Sequence, residues 1–161
     1  MALFTLGISF DEAQTWRDSC ISSVAVKRVL AVDDEAEVLL ALSESLGAKG
    51  YEAVTTDRAD EALKLFRDQA FDLVLLDIQM PDKNGFELYR ELGSVREVPV
   101  LFVSGYSRLF SPASPGFSDL WTGQFSLGRT DILYKPFTLA SLLEKVEALI
   151  GNSEVTANGI R

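Results

Sequence analysis

Short apolar runs alternate with amphipathic segments along most of this chain. Apolar runs predict four strands, over 29–32, 71–76, 98–103 and 131–134, and a weak apolar–polar alternation predicts a further strand over 51–55. Apolar residues at helical spacing predict helices over 35–49, 58–68, 86–92 and 139–150. Thr138 is placed to cap the last of these helices. Strands and helices therefore alternate, as they do in α/β proteins.

The strands are continuously apolar, which is typical of a parallel sheet covered by helices on both faces. The connection from 105 to 128 interrupts the alternation, because Pro112 and Pro115 disfavour a regular helix there. We expect that helix, the fourth in order, to be irregular or shortened, with a helical piece near 119–125. Residues 1–26 are predicted to be a leader or linker, residues 27–150 the folded domain, and the polar residues 151–161 a flexible tail.

The amino-acid composition excludes several classes of binding and catalytic site. The 161 residues are 47% hydrophobic, and 24 acidic against 15 basic side chains give a net charge of −9, which disfavours binding to nucleic acid through charge. The chain contains no histidine, which excludes Ser-His-Asp and Cys-His catalysis and imidazole-bound zinc. No apolar run approaches the ~20 residues that span a bilayer. The lone Cys20 has no disulfide partner within the chain and is compatible with a cytoplasmic protein.

Polar side chains end four of the predicted strands: Asp33-Asp34, Asp77, Ser104 and Lys135. In a parallel sheet these ends meet at one edge, so three carboxylates, a hydroxyl and an ammonium should converge. Clustered carboxylates repel one another, and a hard divalent cation such as Mg²⁺ relieves the repulsion. A carboxylate nucleophile, a metal, a cation and a hydroxyl donor together suit the transfer of a phosphoryl group.

Taken together, these motifs resemble the receiver domain of two-component response regulators. The resemblance runs from about Lys27 to Ile150. It is carried by Val29-Leu30-Ala31-Val32-Asp33-Asp34-Glu35, by Asp77-Ile78-Gln79-Met80-Pro81 with Gly85 in a following turn, by Ser104-Gly105, and by Lys135-Pro136-Phe137. It implies a flavodoxin-like, doubly wound parallel sheet of five strands in the order 2-1-3-4-5.

The resemblance also implies a role for each residue. Asp77 would be the phosphoacceptor, Ser104 the switch hydroxyl, and Lys135 the cation that pairs with the phosphoryl group. Asp34 would bind Mg²⁺ (or Mn²⁺) directly, with Asp33 assisting through water and with Asp77 and the backbone carbonyl of Gln79 as further ligands. The peptide bond between Lys135 and Pro136 would be cis.

By the same resemblance, the phosphoryl donor would be a sensor histidine kinase or a histidine phosphotransfer protein. We expect a signalling domain rather than an enzyme, with an unnamed downstream protein target, no direct contact with nucleic acid and no membrane insertion. The eleven residues after Ile150 leave no room for an output domain, so the chain is expected to be a single-domain regulator, a phosphorelay shuttle or the receiver of a larger protein such as a hybrid kinase.

Two features depart from the family pattern. Ile132 stands where the family has a switch Tyr or Phe, and Tyr134 lies two residues closer to the strand end. The connection 105–128 is also long, and its Phe110, Phe117, Trp121 and Phe125 either pack on the sheet or form a docking patch. A pseudo-receiver that works without phosphorylation is therefore a second hypothesis.

Two further hypotheses belong to different protein classes. A phosphatase of the haloacid dehalogenase type has a second Asp two residues after the nucleophile, where this chain has Gln79. A flavodoxin-like redox protein is disfavoured because no phosphate loop follows the first strand.

Overall fold

The computed structural model describes residues 25–105 and 129–158. It contains five strands: β1 (Arg28–Val32), β2 (Glu52–Thr56), β3 (Leu73–Asp77), β4 (Val100–Ser104) and β5 (Thr130–Tyr134). Four helices are described with them: α1 (Ala36–Gly47), α2 (Ala59–Asp68), α3 (Gly85–Val95) and α4 (Leu139–Asn158). Each strand and helix lies within a few residues of its predicted bounds, with one exception at the end of α4.

The strands form one sheet in the order β2-β1-β3-β4-β5, and every neighbouring pair is parallel. The prediction of an α/β, flavodoxin-like, doubly wound sheet is therefore confirmed. The register of the pairing brings the carboxyl ends of the strands to the same edge of the sheet. Val32 at the end of β1 pairs with Leu76, and Asp77 at the end of β3 pairs with Val103.

Apolar residues on the two faces of the sheet form two separate cores. On one face α2 and α3 pack against the sheet through side chains that include Phe66, Leu88 and Leu92. On the other face α1 and α4 contribute side chains that include Leu42 and Val146. Because both faces are covered, the central strands β3 and β4 are buried along their whole length. A buried strand can place a polar side chain in the site only at its end.

Helix α4 continues beyond its predicted end at Ile150 and reaches Asn158, so residues 151–158, predicted as tail, are helical. No proline interrupts the sequence from Leu139 to Asn158, so backbone hydrogen bonding can continue past Ile150, where the regular apolar spacing stops. The start of the helix is as predicted: the Thr138 hydroxyl accepts a hydrogen bond from the backbone N–H of Ser141 at 3.2 Å.

Several predictions lie outside the described residues. They concern the leader within 1–24, the shortened or irregular fourth helix with its helical piece near 119–125, the aromatic side chains of that connection, and the last three residues of the tail. Among the described helices none is long and apolar enough to cross a membrane.

Gly85 lets helix α3 start directly against the strand that carries Asp77. Its backbone N–H donates to the carbonyl of Ile78 at 2.9 Å. A Cβ atom added here would clash with the backbone carbonyl of Asp77 and lie 2.8 Å from the Cα of Ile78. The φ of Gly85 is not positive, so it is needed for this close approach and not for the turn conformation expected from sequence.

We predict that Gly85→Ala lowers the free energy of unfolding by about 2 kcal/mol, because backbone atoms must move to admit the methyl group. Gly93→Ala in the same helix is the control: nothing lies within 4 Å of the added Cβ, and Ala favours an exposed helix interior by about 0.5–1 kcal/mol. Urea unfolding of both variants measures the difference. Equal changes in the two variants would contradict the close approach at Gly85.

Candidate functional site

The predicted site residues all lie at the carboxyl edge of the sheet. Asp33 and Asp34 follow β1, Asp77 and Ser104 end β3 and β4, and Lys135 follows β5. Parallel pairing brings these strand ends to one rim because each strand starts and ends beside its neighbours. Asp33, Asp77 and Ser104 are almost completely buried, with 1%, 4% and 1% of their surface exposed, whereas Asp34 is exposed.

Lys135 ties the first and last strands together at this rim. Its ammonium donates to Oδ2 of Asp33 and to Oε1 of Glu35, both at 2.8 Å. The backbone N–H of Lys135 donates to the carbonyl of Ser104 at 2.7 Å, which fixes the chain as it leaves β5. The peptide bond between Lys135 and Pro136 is cis, as the resemblance implied.

Asp77 lies close to both other aspartates. Burial and the nearby negative charge of Asp33 raise the pKa of the Asp77 carboxyl to about 7, and a side-chain hydrogen bond with Asp34 acts in the same direction. The Lys135 ammonium and the backbone N–H of Gln79, which donates to Oδ1 at 3.3 Å, offset only part of this rise. The site therefore concentrates more negative charge than Lys135 balances.

The same imbalance acts on the other members of the site. Burial raises the pKa of the Asp33 carboxyl, although hydrogen bonds from Lys135 and from the Glu35 N–H oppose the rise. Burial also acts to lower the pKa of the Lys135 ammonium, but its hydrogen bonds to Asp33 and Glu35 outweigh burial and raise it. The raised pKa of Lys135 means that the carboxylates of Asp33 and Glu35 favour the charged form of the ammonium.

Glu35 is a member of the site that sequence reasoning missed. Its carboxylate contacts Lys135, and carboxylate oxygens of Glu35, Asp33 and Asp34 lie within 4.8 Å of one another. The available signal was its place directly after two aspartates. A glutamate beside a helix start is also common for a different reason, because it favours the helix dipole, so its position in the sequence did not indicate a role in the site.

The donor set fits Mg²⁺ or Mn²⁺, which prefer carboxylate and carbonyl oxygens. In the described part of the chain the group close enough to share an ion is Asp33, Asp34 and Glu35. Asp77 is connected to this group of three carboxylates by a side-chain hydrogen bond with Asp34. Burial is the largest cause of the raised pKa of Asp77 and the charge of Asp33 adds to it, so a bound cation would favour the ionised carboxylate. Gln79 lies beside Asp77 through its N–H, and its carbonyl remains a predicted ligand.

The structure shows the surroundings of Ile132, which stands where the receiver family has a Tyr or Phe. Ile132 is 8% exposed and belongs to the core that also holds Phe102, its partner on β4. Tyr134 pairs with Ser104 across the same two strands and is 37% exposed. The aromatic side chain in register with the buried hydroxyl is thus Tyr134.

We predict that Asp77→Asn stabilises the metal-free protein at high pH. A carboxyl whose pKa is raised by folding binds more protons in the folded state, so wild-type stability falls as pH rises from about 4 to about 7. Asn carries no charge to bury, so the variant should gain about 2 kcal/mol at pH 8 and nothing near pH 4.

Urea unfolding in EDTA at a series of pH values measures this gain. Asp68→Asn, at an exposed residue of α2, removes the same charge from the surface and should leave the pH dependence as in the wild type. A gain from Asp77→Asn that is constant from pH 4 to pH 8 would contradict the charge imbalance.

Comparison with known proteins identifies the family. The family model of the response regulator receiver domain matches residues 29–147. The nisin biosynthesis regulatory protein NisR of Lactococcus lactis subsp. lactis is 33% identical over 129 residues, which are 80% of this chain and 52% of that protein. The probable transcriptional regulator ycf27 of Guillardia theta is 31% identical over 141 residues, which are 83% of this chain and 52% of that protein.

The chain spans about half the length of the curated relatives it matches. One similar solved structure is matched over nearly its whole length. It is the CheY-like response regulator receiver domain protein of Methanospirillum hungatei JF-1, which has a TM-score of 0.68 and 30% identity over 81% of this chain and 98% of that one. The family match, the shared topology and the acidic rim agree, and the chain belongs to the response regulator receiver domain family.

Proposed function

We propose that this receiver domain accepts a phosphoryl group on Asp77 and signals through the resulting change in its protein contacts. The observation that carries the proposal is the burial of the Asp77 carboxylate at the end of β3, next to Asp33, Asp34 and the Lys135 ammonium. A carboxylate in these surroundings can serve as a nucleophile when positive charge is supplied to it.

In the proposed step an Oδ atom of Asp77 forms a bond to phosphorus. The bond between phosphorus and the imidazole nitrogen of a phosphohistidine breaks, and the nitrogen keeps the electron pair. The donor is a histidine on a sensor kinase or phosphotransfer protein, which agrees with the absence of histidine from this sequence. The domain takes part in its own phosphorylation but is not proposed to turn over a separate substrate.

The other site residues would support this transfer. Asp33, Asp34 and the carbonyl of Gln79 would hold Mg²⁺ or Mn²⁺ together with Asp77, and the bound ion would supply positive charge to the carboxylates and the phosphoryl oxygens. Lys135 would donate a hydrogen bond to a phosphoryl oxygen. Ser104, buried at the end of β4, would offer its hydroxyl to another.

The surroundings of this domain in the cell are part of the proposal. The matched region is 52% of NisR and 52% of the Guillardia theta ycf27 protein, so the output activity of those regulators is not carried over to this chain. We place the domain in the cytoplasm, with a histidine kinase or phosphotransfer protein upstream and a protein target downstream. The acidic charge of −9 gives no reason to add nucleic acid as a direct partner.

A second function, as a phosphorylation-independent interaction module, has one observation in its favour. Ile132 is an aliphatic core residue and cannot act as a mobile aromatic switch. Membership of the receiver family is inconsistent with a dehalogenase-type phosphatase and with a flavodoxin-like redox protein, so neither is proposed.

Intact-protein mass spectrometry after incubation with acetyl phosphate tests the proposed function. We expect one phosphoryl adduct that requires Mg²⁺ and is absent from Asp77→Asn. In Asp34→Ala, added Mg²⁺ should no longer increase the amount of adduct. Asp57→Asn, which changes an exposed aspartate near the same rim, is the matched control and should be labelled like the wild type.

A wild-type protein that forms no adduct and binds no beryllofluoride in the presence of Mg²⁺ would favour the interaction module. Beryllofluoride distinguishes this result from rapid loss of the phosphoryl group, because the bound analogue is not hydrolysed.

A further inference from the structure

The side chain of Glu35 does not cap the helix that it precedes. Glu35 occupies the N-cap position of α1, yet its side chain makes no capping hydrogen bond. Glutamate is not among the residues favoured for capping, which are Ser, Thr, Asp and Asn. Its backbone carbonyl accepts from the N–H of Leu39 at 3.1 Å, and any residue could make that bond. The carboxylate therefore needs another explanation.

The carboxylate of Glu35 is instead turned toward Lys135, a hundred residues later in the sequence. The contact measures 2.8 Å and equals the one between Lys135 and Asp33. Glu35 keeps 59% of its side chain exposed, Lys135 16% and Asp33 2%. The ammonium thus lies between a buried carboxylate and an exposed one, at the mouth of the site.

The backbone strengthens this arrangement. The N–H of Glu35 donates to Oδ1 of Asp33 at 2.9 Å, while Oδ2 of Asp33 accepts from Lys135. Asp33, Glu35 and Lys135 therefore form a closed set of three hydrogen bonds. An ammonium group has three N–H donors, and two of them are used in this set. Among the described residues the third donor has no hydrogen-bond partner, and Asp77 is near enough for its charge and that of Lys135 to affect each other.

A lysine held at two points loses less side-chain freedom when it binds a third partner. The long stem of a free lysine costs conformational entropy to fix, and an arrangement formed in advance removes that cost from the reacting state. Asp33 alone gives the ammonium a single point of attachment. Glu35 provides the second and so defines where the ammonium lies.

We propose that Glu35 is a positioning residue that, with Asp33, holds the Lys135 ammonium in place for the phosphoryl group on Asp77. This inference rests on the proposed phosphorylation of Asp77. It assigns to Glu35 a role that acts through Lys135, and its carboxylate is not required to touch the phosphoryl group.

Membership of the acidic cluster suggests a competing role for Glu35 as a metal ligand. The two roles have different consequences. A positioning residue matters only while Lys135 is present, whereas a metal ligand affects Mg²⁺ affinity whether or not Lys135 is present. A double-mutant cycle between the two residues separates them.

The first measurement uses the metal-free protein and needs no phosphorylation. Acetic anhydride is added in EDTA, and peptide mass spectrometry follows acetylation of Lys135. Glu35→Ala should accelerate this acetylation about threefold or more, because the ammonium loses one of two charged partners. Glu37→Ala removes the same charge from the exposed first turn of α1 and should leave the rate unchanged.

The second measurement is the rate of labelling by acetyl phosphate at saturating Mg²⁺. Glu35→Ala should slow it about threefold to fivefold, as expected for one partly exposed charged contact. In the Lys135→Ala background the same change should have no further effect. Isothermal titration with Mg²⁺ should give the same affinity for Glu35→Ala as for Glu37→Ala.

Three results would overturn the inference. They are an acetylation rate of Lys135 unchanged by Glu35→Ala, a loss of labelling that persists in the Lys135→Ala background, and an equal loss in the Glu37→Ala control. Failure of the proposed function would give a different result, because the wild-type protein would then form no phosphoryl adduct. The inference about Glu35 would be overturned together with the proposed function. A labelled wild type with unaltered variants overturns the role of Glu35 alone.

Discussion

The contact between Lys135 and Asp33 is the interaction on which the rest of the site depends. It joins the residue after β5 to the residue after β1, which lie at an edge and near the centre of the sheet. A carboxylate that is 1% exposed is costly to ionise, and an ammonium at 2.8 Å offsets much of that cost. Without it, Asp33 and Asp77 would be two buried acids with no neighbouring cation among residues 25–105 and 129–158.

The burial of several acidic groups at one edge follows from the way in which a doubly wound sheet is built. Its central strands are buried on both faces, so functional groups collect where the strands end and the backbone turns toward solvent. Three strand ends here carry acids or a hydroxyl, so negative charge is in excess, and in the described part of the chain Lys135 is the cation that offsets it. The raised pKa of Asp77 follows from its burial first and from this excess of negative charge second. The same imbalance that costs stability makes the site receptive to a divalent cation, a trade that is common where function and stability compete.

Sequence patterns predicted the sheet and the site well because both follow from local rules. Apolar runs ending in Asp33, Asp77 and Ser104 indicated the strands and the residues at their ends. Patterns failed where a residue's role depends on distant partners. The carboxylate of Glu35 reaches Lys135 across the sheet, and Gly85 is required by the backbone of Asp77. The end of α4 was also missed, because apolar spacing stops at Ile150 while backbone hydrogen bonding does not.

The surroundings of residue 132 limit how a structural change at the site could be transmitted to the protein surface. A switch that moves an aromatic ring between inside and outside needs a side chain with two places to go. Ile132 has one, in the core beside Phe102, and burial of its apolar surface keeps it there. Tyr134, in register with Ser104, combines an aromatic body with contact to solvent. The aromatic residue paired with Ser104 therefore lies at the end of β5, next to Lys135 in the sequence, and not at residue 132.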